Sequence, residues 1–224
     1  MIAIDGPSGV GKGTVARAVA AALGCRHVDT GAMYRAVAWK AHRAGVPLAD
    51  ERAVASLAEA TVFEAIRGVV LVDGEDVGAA LRTPEIDRLA ARVARLPLVR
   101  QVLVAEQRRL GSDGDVVMEG RDIGTVVFPD AAVKVYLDAA PEERARRRSL
   151  DPAHAGSHDV AKVRNELDAR DESDRTRAVA PLAIAPDAHL IDTTGLTIAD
   201  VVDKVMAIIR RAEGAGGAGG AEGR

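Results

Sequence analysis

The chain is short of the residues that carry several common functions. Aromatic side chains make up only 2% of its 224 residues, too few for stacking platforms that would hold single-stranded nucleic acid. Its one cysteine, Cys25, excludes an internal disulfide and fits a reducing, cytoplasmic setting. No apolar run reaches the roughly 18 residues of a membrane span. The chain enters a strand-like segment at Ile2, so no signal peptide is expected. A net charge of −3 supplies no global basic field to recruit a polyanion. The five histidines have no motif context, and no cysteine pair or histidine cluster suggests zinc. No Ser-His-Asp or Cys-His arrangement offers a nucleophile.

What is present begins at the first residue. The apolar run Ile2-Ala3-Ile4 ends at Asp5, and Gly6-Pro7-Ser8-Gly9-Val10-Gly11-Lys12-Gly13-Thr14 follows, leading into an alanine-rich amphipathic run to Leu23. Strand, glycine loop and helix in that order make a phosphate cradle. Glycines let consecutive N–H groups converge, the helix adds its positive end, and Lys12 adds a mobile point charge. The spacing fits G-x-x-x-x-G-K, but the hydroxyl residue expected next is Gly13, and the hydroxyl comes one position later, at Thr14.

With 48% hydrophobic residues, 224 residues suffice for one α/β domain with inserts. Gly24 is placed to end the first helix, and His27-Val28 reads as a short strand. Asp29 or Thr30 caps a second helix to about Ala44, with Tyr34 and Arg35 in its first turns, where an anion would meet both dipole and guanidinium. Asp50 to Glu59 reads as a short helix. Three strand-like runs at about 60–78, separated by Arg67-Gly68 and Asp73-Gly74, predict a small antiparallel meander. Thr83 and Pro84 open a helix to about Leu96, and another from Pro97 carries Arg100, Gln107, Arg108 and Arg109. The strand Asp115 to Met118 delivers Arg121 and Asp122 to the end where open parallel sheets collect ligand groups. A strand at 132–137 precedes a helix from Pro141 on which Arg144, Arg147 and Arg148 share a face. Ser149 to His158 reads as a mobile loop, and a helix from about Val160 to Thr176 puts Arg170, Asp174 and Arg177 on one face. A last strand, His189 to Asp192, leads to a helix capped by Thr197 and ending near Arg211. Residues 212–224 are rich in glycine and alanine and are expected to be disordered.

One glycine loop binds one polyphosphate, and the arginines elsewhere imply a second set of anionic oxygens. Phosphoryl transfer needs that kind of positioning and charge neutralisation. From the residues alone the reading is a P-loop phosphotransferase with an arginine-bearing lid, its acceptor unnamed. A kinase for another acceptor, such as shikimate or UMP, would have no need of Arg100 with Asp122. A nucleotide-binding regulator would lack use for the lid arginines.

Four segments carry a resemblance. The loop at 6–14, Asp-Thr-Gly-Ala-Met-Tyr-Arg at 29–35, the Glu-Gly-Arg-Asp segment opening 119–131, and Arg-Asp-Glu-Ser-Asp-Arg at the start of 170–182 resemble bacterial cytidylate kinases, over about 2–211. The resemblance implies an α/β P-loop fold with a parallel five-stranded sheet flanked by helices. It divides a single unit into a core (1–30, 98–145 and 178–211), a nucleoside-monophosphate region (31–97) and a lid (about 146–165). It implies transfer from ATP to CMP or dCMP in pyrimidine metabolism; no long apolar stripe is left over for a partner, so a monomer is expected, and the composition points to neither nucleic acid polymers nor membranes. Mg²⁺ would arrive with ATP and be held largely through waters, with Thr14 nearby.

In that reading the loop 6–14, with Lys12, holds the donor phosphates, and Arg144 and Arg148 close over ATP. Arg35 and Arg121 take the acceptor phosphate beside Thr30 and Tyr34, and Arg100 and Asp122 read the cytosine edge. Asp174 and Arg170 contact sugar hydroxyls, and Arg177 reaches phosphates. Lys12, Arg121, Arg148, Arg170 and Arg177 are the residues expected to act in catalysis. Two departures stand out: Ala91 where the family often has a base-contacting serine, and Thr30 for a serine.

Overall fold

A computed structural model describes residues 1–66, 69–150 and 159–218. Five strands, β1 (Ile2–Asp5), β2 (Arg26–Asp29), β5 (Val116–Gly120), β6 (Val133–Asp138) and β7 (His189–Asp192), form one parallel sheet in the order β2-β5-β1-β6-β7. The remaining strands, β3 (Phe63–Ile66) and β4 (Val69–Val72), pair antiparallel to each other. Strand β1 lies between β5 and β6, with Asp5 level with Gly120 and Tyr136. The glycine loop after β1 and the Arg121-Asp122 segment after β5 therefore leave the sheet side by side, at its carboxyl edge.

Helix α1 (Lys12–Leu23) follows the loop and ends at Gly24, whose φ of 65° is the left-handed stop expected of it. With α9 (Ile198–Ala218), it covers one side of the sheet through a core that includes Val15, Val19, Leu137, Val201 and Val205. Cys25 packs half-buried at the rim of this core. The other core joins the sheet to α2 (Thr30–Arg43), α3 (Glu51–Glu59), the short α4 (Gly78–Leu81), α5 (Pro84–Val93) and α6 (Pro97–Ser112), around Met33, Val37, Phe63 and Leu103. Asp29, Asp50 and Thr83 cap α2, α3 and α5, each accepting a backbone N–H of the first turn at 3.0–3.2 Å. The helices α7 (Pro141–Ser149) and α8 (Val160–Arg175) pack on each other beside the loop.

Two expectations need correction: the three-stranded meander, and the end of the last helix near Arg211 with disorder from 212. The meander has two strands. Glu75 makes a single bridge to Val72 across the Asp73-Gly74 turn, and the Asp76 carboxylate then accepts Gly78 N–H at 2.8 Å, turning the chain into α4. The expected Arg67-Gly68 turn lies outside the described residues. The last helix continues past Arg211 to Ala218, since extending a formed helix adds one hydrogen bond per residue fixed; 219–224 lie outside the described residues. In the lid, the structure describes the flanks through Ser149 and Leu150 and from Asp159, while the expected loop at 151–158 lies outside them.

Candidate active site

The glycine loop is set by one close approach. A Cβ on Gly6, whose φ is 148°, would stand 2.1 Å from the backbone oxygen of Leu137 on the neighbouring strand. Only glycine lets the loop leave β1 this close to β6. Behind the loop the buried Asp5 carboxylate accepts Ile123 N–H at 2.9 Å and Gly124 N–H at 2.7 Å. These bonds hold the five-residue π turn Ile123–Val127 against β1. Burial raises the Asp5 carboxyl to about 6, against the pull of those two donors.

Lys12 is buried and donates to Pro7 O at 2.6 Å. Burial pushes its ammonium down to about 7, and the nearby Arg121 adds to the effect, opposed by Glu119, Asp171 and Asp5. The loop is bracketed by side chains from distant elements. Asp171, fully buried on α8, accepts Ser8 N–H at 3.0 Å and pairs with Arg144, which donates to Ser8 O at 3.2 Å. Arg121 donates to Ser8 Oγ at 2.8 Å and to Asp174 at 3.0 Å. Arg147 donates to Val10 O at 3.2 Å and to both oxygens of Thr193. Arg144, expected to close over the donor from the lid, is thus buried beneath the loop, because the Asp171 carboxylate holds it there.

Along the cleft, Asp122 is gripped on both oxygens: Arg100 Nη2 stands 2.5 Å from Oδ2 and Arg177 Nη2 3.1 Å from Oδ1. Arg177 also lies 3.8 Å from Asp174, and burial lowers its guanidinium from the ordinary arginine range. Arg100 is 1% exposed and lies 5.6 Å from the centre of the Tyr34 ring. Arg35 pairs with the capping Asp29 at 2.8 Å. Arg148 and Arg170 both reach Asp87 on α5, the second at 3.6 Å. Thr30 donates its hydroxyl to Glu119 O at 2.7 Å, and Thr14 is exposed at the start of α1. Ala91 sits half-buried on α5. Arg35 Nε, Arg100 Nε and Nη1, and the Tyr34 hydroxyl are buried without a partner among the described residues. A cleft holding that many unanswered donors is built to receive acceptor oxygens and nitrogens.

Most of the residues singled out from the sequence thus stand together beside the glycine loop at the carboxyl edge of the sheet, with Arg144 buried beneath it. Four acids went unrecognised, Asp5, Asp87, Glu119 and Asp171, and Asp29 was read as a helix cap without its pairing to Arg35. Their partners are up to 163 residues away, and the only local hint was the spacing of Asp168, Asp171 and Asp174 three apart on α8.

A family model described as Cytidylate kinase matches residues 2–211. A cytidylate kinase of Desulfitobacterium hafniense is 49% identical over 92% of this chain and 91% of its own length. One of Solibacter usitatus is 48% identical over 94% and 92%. A bifunctional pantoate ligase/cytidylate kinase of a Synechococcus species is 45% identical over 94% of this chain and 40% of its own. Among solved structures, a gluconokinase from Sinorhizobium meliloti superposes with a TM-score of 0.50 at 17% identity, covering 96% of this chain and 94% of that one, a likeness of fold alone. A match of this extent, on a chain with a glycine phosphate loop and a parallel five-stranded sheet, places the chain in the cytidylate kinase family.

Proposed function

We propose that the chain transfers the γ-phosphoryl group of ATP to CMP or dCMP, giving ADP and CDP or dCDP. The observation that carries this reading is Asp122, buried beside the phosphate loop with both oxygens held by arginines. Each carboxylate oxygen has two lone pairs. After the arginines are satisfied, Asp122 can still accept the exocyclic amine of cytosine, while the unpartnered Arg100 nitrogens can donate to the ring nitrogen and carbonyl. Uracil offers an oxygen where cytosine has its amine and meets the carboxylate as a second acceptor.

In this reading the loop amides of 6–14 and Lys12 hold the donor phosphates. Arg35 and Arg121 receive the acceptor phosphate, with Tyr34 as the wall against which Arg100 lies. Asp174 and Arg170 take the sugar hydroxyls. Arg121, Arg177 and Arg148 offset charge on the oxygens of the group in flight, the main demand of a loose phosphoryl-transfer transition state. Arg144, Arg147 and Asp171 keep the loop in shape.

Glu119 and Thr14 would stand nearest to a magnesium ion supplied with ATP, whose chemistry would be to neutralise charge on the donor phosphates. The residues present fit it. A Cβ on Gly13 would stand 2.9 Å from Glu119 Oε1 and 3.5 Å from Oε2, so a carboxylate occupies the space of the usual hydroxyl. Glu119 and the Thr14 hydroxyl are hard oxygen donors suited to magnesium and its retained waters. With this reading goes a monomeric enzyme of pyrimidine nucleotide metabolism, and the lone cysteine supports a reducing, cytoplasmic setting.

The test is ADP release with ATP and Mg²⁺ against CMP, dCMP, UMP, AMP, GMP and shikimate. Turnover confined to CMP and dCMP is expected. Comparable turnover of UMP would remove Asp122 as the reader of cytosine, and no turnover with ATP still bound would remove the kinase reading.

A further inference from the structure

Glu119 is fixed at both ends. Its backbone oxygen accepts the Thr30 hydroxyl at 2.7 Å, and its Oε1 lies 3.2 Å from Nε2 of His27, a side chain only 2% exposed. The register of the sheet explains the second contact. His27 on β2 stands level with Val117 on β5, two residues before Glu119, so His27 and Glu119 share the sheet face that α1 covers. An ionised carboxylate only accepts hydrogen bonds, so Nε2 carries the proton of this contact. His27 Nδ1 has no partner, and Glu119 Oε2 accepts no hydrogen bond among the described residues.

We propose that His27 is a positioning residue for the donor's magnesium. Its Nε2–H fixes the Glu119 carboxylate through Oε1, and Oε2, which accepts no hydrogen bond among the described residues, would be the oxygen left to accept from the waters that magnesium keeps. The inference rests on the kinase reading and on Glu119 as the acid beside Gly13. Among the described residues, no other side chain donates a hydrogen bond to the Glu119 carboxylate to fix its rotamer. Partners behind a metal-binding group commonly set 10–100-fold of its affinity, and an effect of about 10-fold is expected where the contact to the metal runs through water.

The test measures binding of a fluorescent ATP analogue without acceptor, in EDTA and across a Mg²⁺ titration, for wild type, His27→Leu, His27→Gln and Glu119→Gln. In His27→Leu the Mg²⁺ midpoint should rise about 10-fold while affinity in EDTA stays within about twofold of wild type. His27→Gln, which keeps a donor, should recover most of the loss. A merely structural histidine would weaken binding equally with and without Mg²⁺, and that result would overturn the proposal. If Glu119→Gln moves the midpoint and His27→Leu does not, the histidine's role alone fails; if Glu119→Gln leaves it unmoved, the reading of Glu119 beneath it fails. Should His27→Leu not fold, the His27 Nε2 nitrogen resonance of the wild-type protein decides. It should shift when Mg²⁺ joins the complex with a non-hydrolysable ATP analogue, and an unmoved resonance overturns the proposal.

Discussion

Replacing Asp122 by asparagine keeps the shape of the side chain and changes only what it can accept. In the wild-type cleft its two oxygens answer Arg100 at 2.5 Å and Arg177 at 3.1 Å. Asparagine has one carbonyl oxygen, so its amide must point its own donors at one of the two guanidiniums. Removing one partner of a buried ion pair costs about 3–5 kcal/mol, and the retained carbonyl puts Asp122→Asn near the low end, about 3 kcal/mol. At about 2–4 °C per kcal/mol for a chain of this size, the melting temperature should fall by roughly 6–12 °C. Catalysis should respond differently according to the base. Losing a hydrogen bond to a charged acceptor is worth about 1.5–3 kcal/mol, or roughly 10–150-fold in kcat/KM for CMP. UMP should lose far less, because the new amide can donate to the uracil oxygen, so the CMP-to-UMP preference should shrink by at least about tenfold. The assay is initial-rate kinetics for both acceptors at saturating ATP, with ATP affinity measured separately and expected to stay within about twofold. Equal losses for CMP and UMP would refute the reasoning and leave Asp122 as scaffold for two arginines.

Other consequences follow from the loop. With free Lys12 at about 7, ATP binding at pH 8 should take up close to one proton as the phosphates hold the ammonium charged; calorimetry in buffers of different ionisation enthalpy reads this, and no uptake would contradict the buried lysine. The same two shifts act on stability in opposite windows. Asp5, raised to about 6, contributes stability that is lost as pH climbs through that value, and Lys12, depressed to about 7, makes the unfolded chain the better proton binder above it, so stability rises from there. Urea midpoints of the unliganded protein should therefore dip near pH 6.5 relative to pH 5 and pH 8, and Lys12→Met should abolish the recovery on the alkaline side. Gly6→Ala should cost about 4–5 kcal/mol or more, because its Cβ would strike the Leu137 carbonyl; a variant melting within about 5 °C of wild type would show that the loop has another exit from the sheet. Gly13→Ser should displace the Glu119 carboxylate from His27 and cost about 1 kcal/mol, measured by denaturant unfolding.

What the sequence made legible was local. The strand, glycine loop and helix at the start carry their signal within about 20 residues of sequence, and the structure reproduces them down to the left-handed Gly24. The caps at Asp29 and Thr83 were legible because a cap is a bond to a residue three positions on. The π turn after Asp122 was not, since its shape depends on Asp5, 118 residues earlier, taking the amide of Ile123. Nor was the third meander strand refused by any pattern in Glu75 to Val77. The Asp76 bond to Gly78 decided it, and such short turn bonds compete with a strand of three residues on nearly equal terms. Arg144 failed for a related reason. Helical spacing gave its face, but whether that face met solvent or a buried Asp171 depended on how α8 docks.

The missed acids change how the arginines should be understood. Seven guanidiniums stand in or beneath this cleft, Arg35, Arg100, Arg121, Arg148, Arg170 and Arg177 with Arg144 under the loop, and every one of them pairs with a carboxylate. Unpaired, so many like charges in a poorly hydrated space would drive the helices apart. The acids let the cleft assemble before any nucleotide arrives. A phosphate entering it therefore exchanges partners with a carboxylate instead of meeting a bare guanidinium, and the gain per arginine is the difference between two charge-assisted bonds. That difference grows as charge develops on the departing donor phosphate and spreads over the oxygens of the group in flight, since the carboxylates offer a fixed charge and the ligand a redistributing one. In the reading proposed here, paired arginines thus bind the ground state modestly and the transition state more tightly, which is the condition for an ion-paired cleft to accelerate transfer as well as hold its substrates.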